Sequence, residues 1–438
     1  MRATLAVLLL ASGCLAQAAE PVAGDPFEQG LAQARARRVP VLVDFHAPWC
    51  YSCYYMAKNV LSGPDWERVQ REAVVVELDA DSPVGARWMA AWGVKAMPTY
   101  LVFNADGQEL GRILGEQTRD DFYPWLARTT ASANPLDALK AKAVDGTPAA
   151  VAAAREVLRA HHARYDADGG LDWYASLPSH AKAAVAGDAE GAAWVARLEL
   201  QRAAAKKDVP ACLTAAPKVL AASLGCERPY ELAKVMACTD GQPQRRELLK
   251  PQAEPMQRLV DKRVLAGSRC ADERSIVTGT ADLYAALGDA PAEQRTLDRA
   301  INDVKQRLGK DFRKDRSLAD NLRVYLDRAG RIDELDALLP KLIAAYPEDY
   351  VYAYRHAKSL AVRGKHAEAL PFFELAAVRA YGVNKLRNAE LRAKSLQALG
   401  RVDDARKVLT EALQANGPWF PDDAAKLKAL LAPPAPAG

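Results

Sequence analysis

One short stretch constrains this 438-residue chain more than any other. Val39-Pro40-Val41-Leu42-Val43-Asp44-Phe45 is a β-branched apolar run, the pattern of a strand buried on both faces. Trp49-Cys50-Tyr51-Ser52-Cys53 follows close behind, and a helix is expected to open near Cys50 and run through Lys58 toward Leu61. The alternation then continues. Asp65 opens a second helical piece through Glu72, Val74 to Leu78 reads as the next strand, and Pro83 to Trp92 as another helix. Tyr100–Phe103 and Glu109–Leu114 flank the turn Asn104-Ala105-Asp106-Gly107, the signature of a hairpin. Thr118 caps a last helix through Arg128. Strand, helix, strand, helix, hairpin, helix is an α/β layered domain, a central mixed sheet flanked by helices. Trp88 and Trp92, four apart on one helix face, read as core.

Two cysteines separated by two residues suit either a redox pair or half of a zinc site, and zinc needs two more ligands at matching spacing. The chain has no second Cys-x-x-Cys, and its later cysteines lie more than 150 residues away. The pair also sits where a buried strand gives way to a helix, the context of a redox motif. At a helix N-terminus, unpaired amide N–H groups and the helix dipole favour negative charge. The thiolate of Cys50 is thereby stabilised, which makes it the nucleophile. Cys53, one turn later and deeper, resolves the mixed disulfide formed when Cys50 attacks a substrate bond. No metal and no cofactor beyond the Cys50–Cys53 disulfide is called for.

Val43-Asp44-Phe45-His46-Ala47-Pro48-Trp49-Cys50 through Cys53, with Met97-Pro98-Thr99 downstream, resembles the thioredoxin superfamily. The resemblance implies that Pro98 is cis and faces the disulfide, with Met97 and Thr99 beside it in the substrate site. It also implies that Asp44, a charge interrupting an apolar strand, accepts the proton of Cys53. Within the superfamily, Ser62-Gly63-Pro64-Asp65 and Asp79-Ala80-Asp81 resemble the C-terminal periplasmic domain of the reductase DsbD and similar exported proteins. Three features depart from thioredoxins. Tyr51-Ser52 is neither Gly-Pro nor Pro-His, Ala47-Pro48-Trp49-Cys50 is closer to protein disulfide isomerases, and Tyr54 stands where thioredoxins carry Lys. His46 is the nearest replacement for that cation, although a lone His near a strand end is more often structural. Trp49, Tyr51 and Tyr54 are expected to ring the thiolate with aromatic surface for a flexible polypeptide substrate. Direction of electron flow is open at this point.

Beyond a small, polar linker near Thr129 to Pro135, nearly everything reads as helix. Gly330, Gly364 and Gly400, spaced by 34 and 36 residues, each sit in a helix-turn context. Ala369 and Ala405 follow their glycines by five, Ala376 and Ala412 by twelve, and Leu342 holds that last place in the first unit. Gly288 with Ala300 is a degenerate fourth. This resembles the tetratricopeptide repeat, whose helical hairpins recur every 34 residues or so, and implies a surface for a partner protein. The expected divisions are a signal at 1–18, a thioredoxin-like domain at 19–130, helices at 136–280, repeat-like hairpins at 281–432 and a disordered tail at 433–438. Helices at Pro210–Ala222, Pro229–Ala237 and Arg245–Leu265 running up, down and up would pair Cys212 with Cys238 and Cys226 with Cys270.

Arg2, the apolar Leu5–Leu10 stretch and Ala16-Gln17-Ala18 read as an export signal. Leu10-Ala11-Ser12-Gly13 before Cys14 is the competing lipoprotein reading. Either leads to the periplasm or beyond, where disulfides persist. No later segment is apolar enough for a membrane span. The 59 basic and 55 acidic residues are mixed along the chain, which gives no reason to propose nucleic acid. The expectation is an exported thiol–disulfide oxidoreductase that reduces or exchanges disulfides in proteins or peptides, supplied by an upstream thiol donor. An oxidase or isomerase using the same pair, and a non-catalytic repeat scaffold, are the alternatives.

Overall fold

Strand β1 (Val41–His46) holds the centre of the sheet. It pairs in parallel with β2 (Val74–Asp79) and antiparallel with β3 (Thr99–Phe103), which pairs antiparallel with β4 (Glu109–Leu114). The order is β2-β1-β3-β4. Because side chains alternate across a sheet, Val43, Phe45, Leu101 and Phe103 point to one face and Leu42, Tyr100 and Val102 to the other. Helices α1 (Pro26–Arg37) and α4 (Pro83–Ala91) cover the first face, and α2 (Tyr51–Asn59), α3 (Gly63–Glu72) and α5 (Arg119–Thr130) the second. The computed structural model describes residues 24–131, 135–267 and 270–432; the signal reading, Cys14 and the tail at 433–438 lie outside them.

The sequence reading did not place α1. Its signal was present in Asp25-Pro26: the Asp25 side chain caps the amides of Phe27 and Glu28, and proline suits the first helical position. Asp25 also accepts from the Trp88 indole at 3.0 Å and pairs with Arg87, fastening α1 to α4. Trp88 stacks on Trp92 at 4.4 Å, with Phe27 edge-on to both.

The remainder is helical. Hairpins form from Arg316–Arg328 with Ile332–Ala345, from Val351–Val362 with His366–Arg379, and from Val383–Ala398 with Val402–Asn416. Gly330, Gly364 and Gly400 occupy the turns with φ of 66°, 76° and 74°, a region where a Cβ is penalised. Ala369, Ala376 and Ala405 are fully buried, while Ala412 is half-buried. The helix expected over Arg245–Leu265 is instead broken into Arg245–Leu249, a 3-10 turn at Lys250–Gln252, Ala253–Leu259 and a π turn at Val260–Val264. Pro251 accounts for the 3-10 turn: it lacks an N–H and its ring collides with the preceding turn of a regular α-helix. The structure nevertheless bonds Cys212 to Cys238 and Cys226 to Cys270, with Cα separations of 6.2 and 5.7 Å.

The helical region bends back onto the α/β domain. Arg164 reaches Glu109 of β4 at 2.8 Å, Lys58 of α2 pairs with Asp315 at 2.7 Å, and the Val383 amide donates to the Asp81 carbonyl at 3.2 Å. Gly382 makes the last contact possible. Its φ is 51°, and a Cβ there would fall 1.9 Å from the Asp81 carbonyl oxygen. We expect Gly382→Ala to destabilise the protein by about 1–3 kcal/mol through backbone strain and lost docking, read as a lower midpoint in urea unfolding.

Candidate active site

Cys50 is the N-cap of α2, in extended conformation, and its Sγ accepts from the amide of Cys53 at 3.1 Å. The two cysteines form a disulfide with Cα atoms 5.3 Å apart. The Cys50 side chain packs with Ala47 and Ala80, against the partly buried Cys53, Met89 and Met97. The Met97–Pro98 peptide is cis. Pro98 is buried, and Thr99 is fully buried with its hydroxyl donating to the Ala96 carbonyl at 2.7 Å, so of this trio Met97 offers the most side-chain surface.

Asp44 lies on β1 with Tyr100 opposite it on β3 and Glu77 opposite on β2. Its Oδ1 is buried without a hydrogen-bond partner. Burial, and then the charge of Glu77, push its carboxyl up to about 7. A carboxyl at that value takes or gives a proton near neutrality. A second acid, Glu116, follows β4 and shares a side-chain hydrogen bond with Ser52, inside the Cys-x-x-Cys motif. Burial and the neighbouring Asp272 raise its carboxyl well above the usual range.

The aromatic ring expected around the thiolate is not open to solvent. Tyr51 lies under the Arg274 guanidinium, 3.2 Å from the ring centroid, and its hydroxyl points at the Asp272 carboxylate at 3.4 Å. Asp272 also accepts from Tyr230 at 2.7 Å. Tyr54 donates to the Pro48 carbonyl and lies under Arg316 at 4.2 Å. Only Trp49, 36% exposed, keeps a free face. Cys50 is 3% exposed and Cys53, expected to lie deeper, is the less buried of the pair, because Cys50 packs among Ala47 and Ala80 while Cys53 stands on the first turn of α2. The Trp49 indole donates to Asp81 at 2.7 Å and its carbonyl accepts from Arg355 at 3.0 Å.

Behind these contacts sits Asp320, 2% exposed. Arg274 reaches it at 2.7 Å and Arg323 at 2.8 Å, and Arg355 completes the set. Burial alone would raise this carboxyl, yet Arg323, Arg355 and Arg274 hold it far below the usual range. The sequence reading brought together Asp44, Trp49, Cys50, Cys53 and Met97. It missed Glu116, Asp272, Arg274, Asp320 and Arg355. The last four stand more than 200 residues from the motif in an arginine-rich helical stretch, and nothing in that stretch sets them apart. The Cys212–Cys238 and Cys226–Cys270 bridges lie in the helical region. The second ends two residues before Asp272. Among the described residues no group of three or more His, Cys, Asp or Glu is arranged to hold a metal, and no helix is long and apolar enough to cross a membrane.

The family described as "Thioredoxin-like domain" matches residues 27–130. The thiol:disulfide interchange protein DsbD of Klebsiella pneumoniae subsp. pneumoniae is 36% identical over 84 residues, 19% of this chain and 14% of that protein. DsbD of Cronobacter sakazakii is 33% identical over 95 residues, 21% of this chain and 16% of that protein. Among solved structures, a thioredoxin from Thermus thermophilus aligns with 26% of this chain and 89% of its own, at 28% identity and a TM-score of 0.24. A tetratricopeptide repeat protein from Parabacteroides merdae aligns with 71% of this chain and 96% of its own, at 14% identity and a TM-score of 0.34. The matched segment thus spans about a sixth or less of these curated relatives, and it is residues 27–130 that carry the likeness to a thioredoxin-like domain.

Proposed function

We propose that the chain is an exported thiol–disulfide oxidoreductase that reduces or exchanges disulfides in protein or peptide substrates. The observation that carries this reading is the Cys50–Cys53 disulfide at the N-cap of α2, packed against Met97 of the cis Met97–Pro98 peptide, with a buried acid near neutrality on the preceding strand. In the reduced enzyme the Cys50 thiolate attacks one sulfur of a substrate disulfide, and the other sulfur leaves as thiolate. The Cys53 proton passes to Asp44, and the Cys53 sulfur attacks Cys50 Sγ, releasing the second substrate sulfur. Two electrons have moved from the enzyme dithiol to the substrate, and an upstream thiol donor restores the dithiol. Export to a periplasm-like space fits this chemistry, because substrate disulfides persist there. With Tyr51 and Tyr54 already engaged by the helical region, the surface left for substrate is Trp49 and Met97.

Turnover of insulin disulfides by the reduced full-length chain is expected to fall to background in Cys50→Ser. Cys53→Ser should accumulate the mixed disulfide, visible as an added substrate mass. Wild-type protein without turnover would sink the enzymatic reading in favour of a binding scaffold. Equilibration with glutathione buffers sets the direction. A potential near about −270 mV marks a reductase and one near about −120 mV a disulfide donor; we expect the former.

Asp44 adds a pH signature. Its folded-state value of about 7 lies above the ordinary 3.8, so between these limits the unfolded chain ionises the group while the folded chain does not. Wild-type stability therefore falls as pH rises from about 4 to about 7 and stays lowered above that. Asp44→Asn should match wild type near pH 4 and exceed it above pH 7 by up to about 4 kcal/mol in urea unfolding. The same variant should resolve the mixed disulfide more slowly.

A further inference from the structure

The active-site helix carries little positive charge of its own. Its one basic residue, Lys58, stands two turns from Cys50 and is paired with Asp315. Guanidiniums on the residues flanking Cys50 arrive from the helical region. Arg355 hydrogen-bonds the carbonyl of Trp49, the residue bonded to Cys50, and Arg274 covers the ring of Tyr51, the residue after it. Arg274, Arg323 and Arg355 share the single carboxylate of Asp320, so the cluster is net positive.

We infer that Arg355, seated by Asp320, is the positioning residue that stabilises the Cys50 thiolate, with Arg274 in support, so that the helical region completes the redox centre electrostatically. This rests on the oxidoreductase reading and names the part of the chain that tunes its nucleophile. Most of the other charged and titratable groups around the site are acids or are turned to other partners. On β1 and β2 these are Asp44, whose carboxyl burial and Glu77 raise, His46, Glu77 and Asp79, the last accepting from Tyr381. In the loop after β2, Asp81 is raised by burial, engaged by Trp49 and Tyr350, and lies 3.9 Å from Arg387. Glu116 is raised by burial beside Ser52. From the helical side, Asp272 is bonded by Tyr230 and Ser275, Glu273 pairs with Arg307, and Arg316 pairs with Asp349 over Tyr54. An opposite charge close to a thiolate lowers its pKa by about a unit or more.

The test is the pH dependence of Cys50 alkylation by iodoacetamide in the reduced full-length chain, followed by mass spectrometry of the Cys50 peptide. Arg355→Gln keeps a donor for the Trp49 carbonyl, removes the charge, and leaves Asp320 with two arginines. It is expected to raise the Cys50 pKa by about one unit, whereas Arg355→Lys should stay close to wild type. Arg274→Gln leaves the Trp49 contact untouched and should shift the value in the same direction by less; it serves also if Arg355→Gln fails to fold. An unchanged pKa in both Gln variants overturns the inference, as does an equal shift in Arg355→Lys, which would leave Arg355 a structural role alone. Loss of insulin turnover in wild-type protein would overturn the oxidoreductase reading while leaving the titration intact.

Discussion

A single buried carboxylate, Asp320, joins the two halves of this molecule. Three guanidiniums converge on it; Arg274 reaches on to Tyr51 and Asn321 and Arg355 to the Trp49 carbonyl, while Arg323 pairs from the same helix. Burying charges costs roughly what their attraction returns. The contribution of such a cluster is therefore geometric: it permits one seating of the helices against α2 and penalises any that leaves the carboxylate short of partners. Gly382 and Asp81 make a further contact, by backbone approach rather than by charge.

The buried acids of this molecule divide by environment. Asp320 is surrounded by arginines and is held ionised. Asp44, buried beside Glu77, and Glu116, buried near Asp272, are pushed toward the neutral form. The first arrangement fixes position, while the second leaves carboxyls that hold their protons to higher pH than usual. The Cys226–Cys270 bridge reinforces the first, because it anchors the chain two residues before Asp272 and so restrains the segment that meets Tyr51.

Much of the α/β domain was legible because its signals are local. Runs of β-branched apolar residues mark β1 and β2, Asn104 to Gly107 marks the hairpin, and Thr118 marks the start of α5. The repeat glycines were legible for the same reason, since each turn needs a positive φ where it stands. α1 was missed although Asp25-Pro26 announced it, and the helix over Arg245–Leu265 was drawn straight through Pro251. Both errors came from weighing apolar periodicity above capping and proline chemistry.

The sequence by itself determined the chemistry: two cysteines at a strand-to-helix junction, an acid in the strand beneath, and a proline opposite. These are short-range patterns, set by backbone geometry over a few residues. Only the tertiary structure decided what surrounds them. It put arginines from the helical region over Tyr51 and Tyr54, buried Cys50 to 3% exposure and left Trp49 as the open aromatic. The physical reason is that contacts between Trp49 and Arg355, 306 residues apart, depend on how whole helices pack, and a charged side chain on a helix carries no mark of what it will meet.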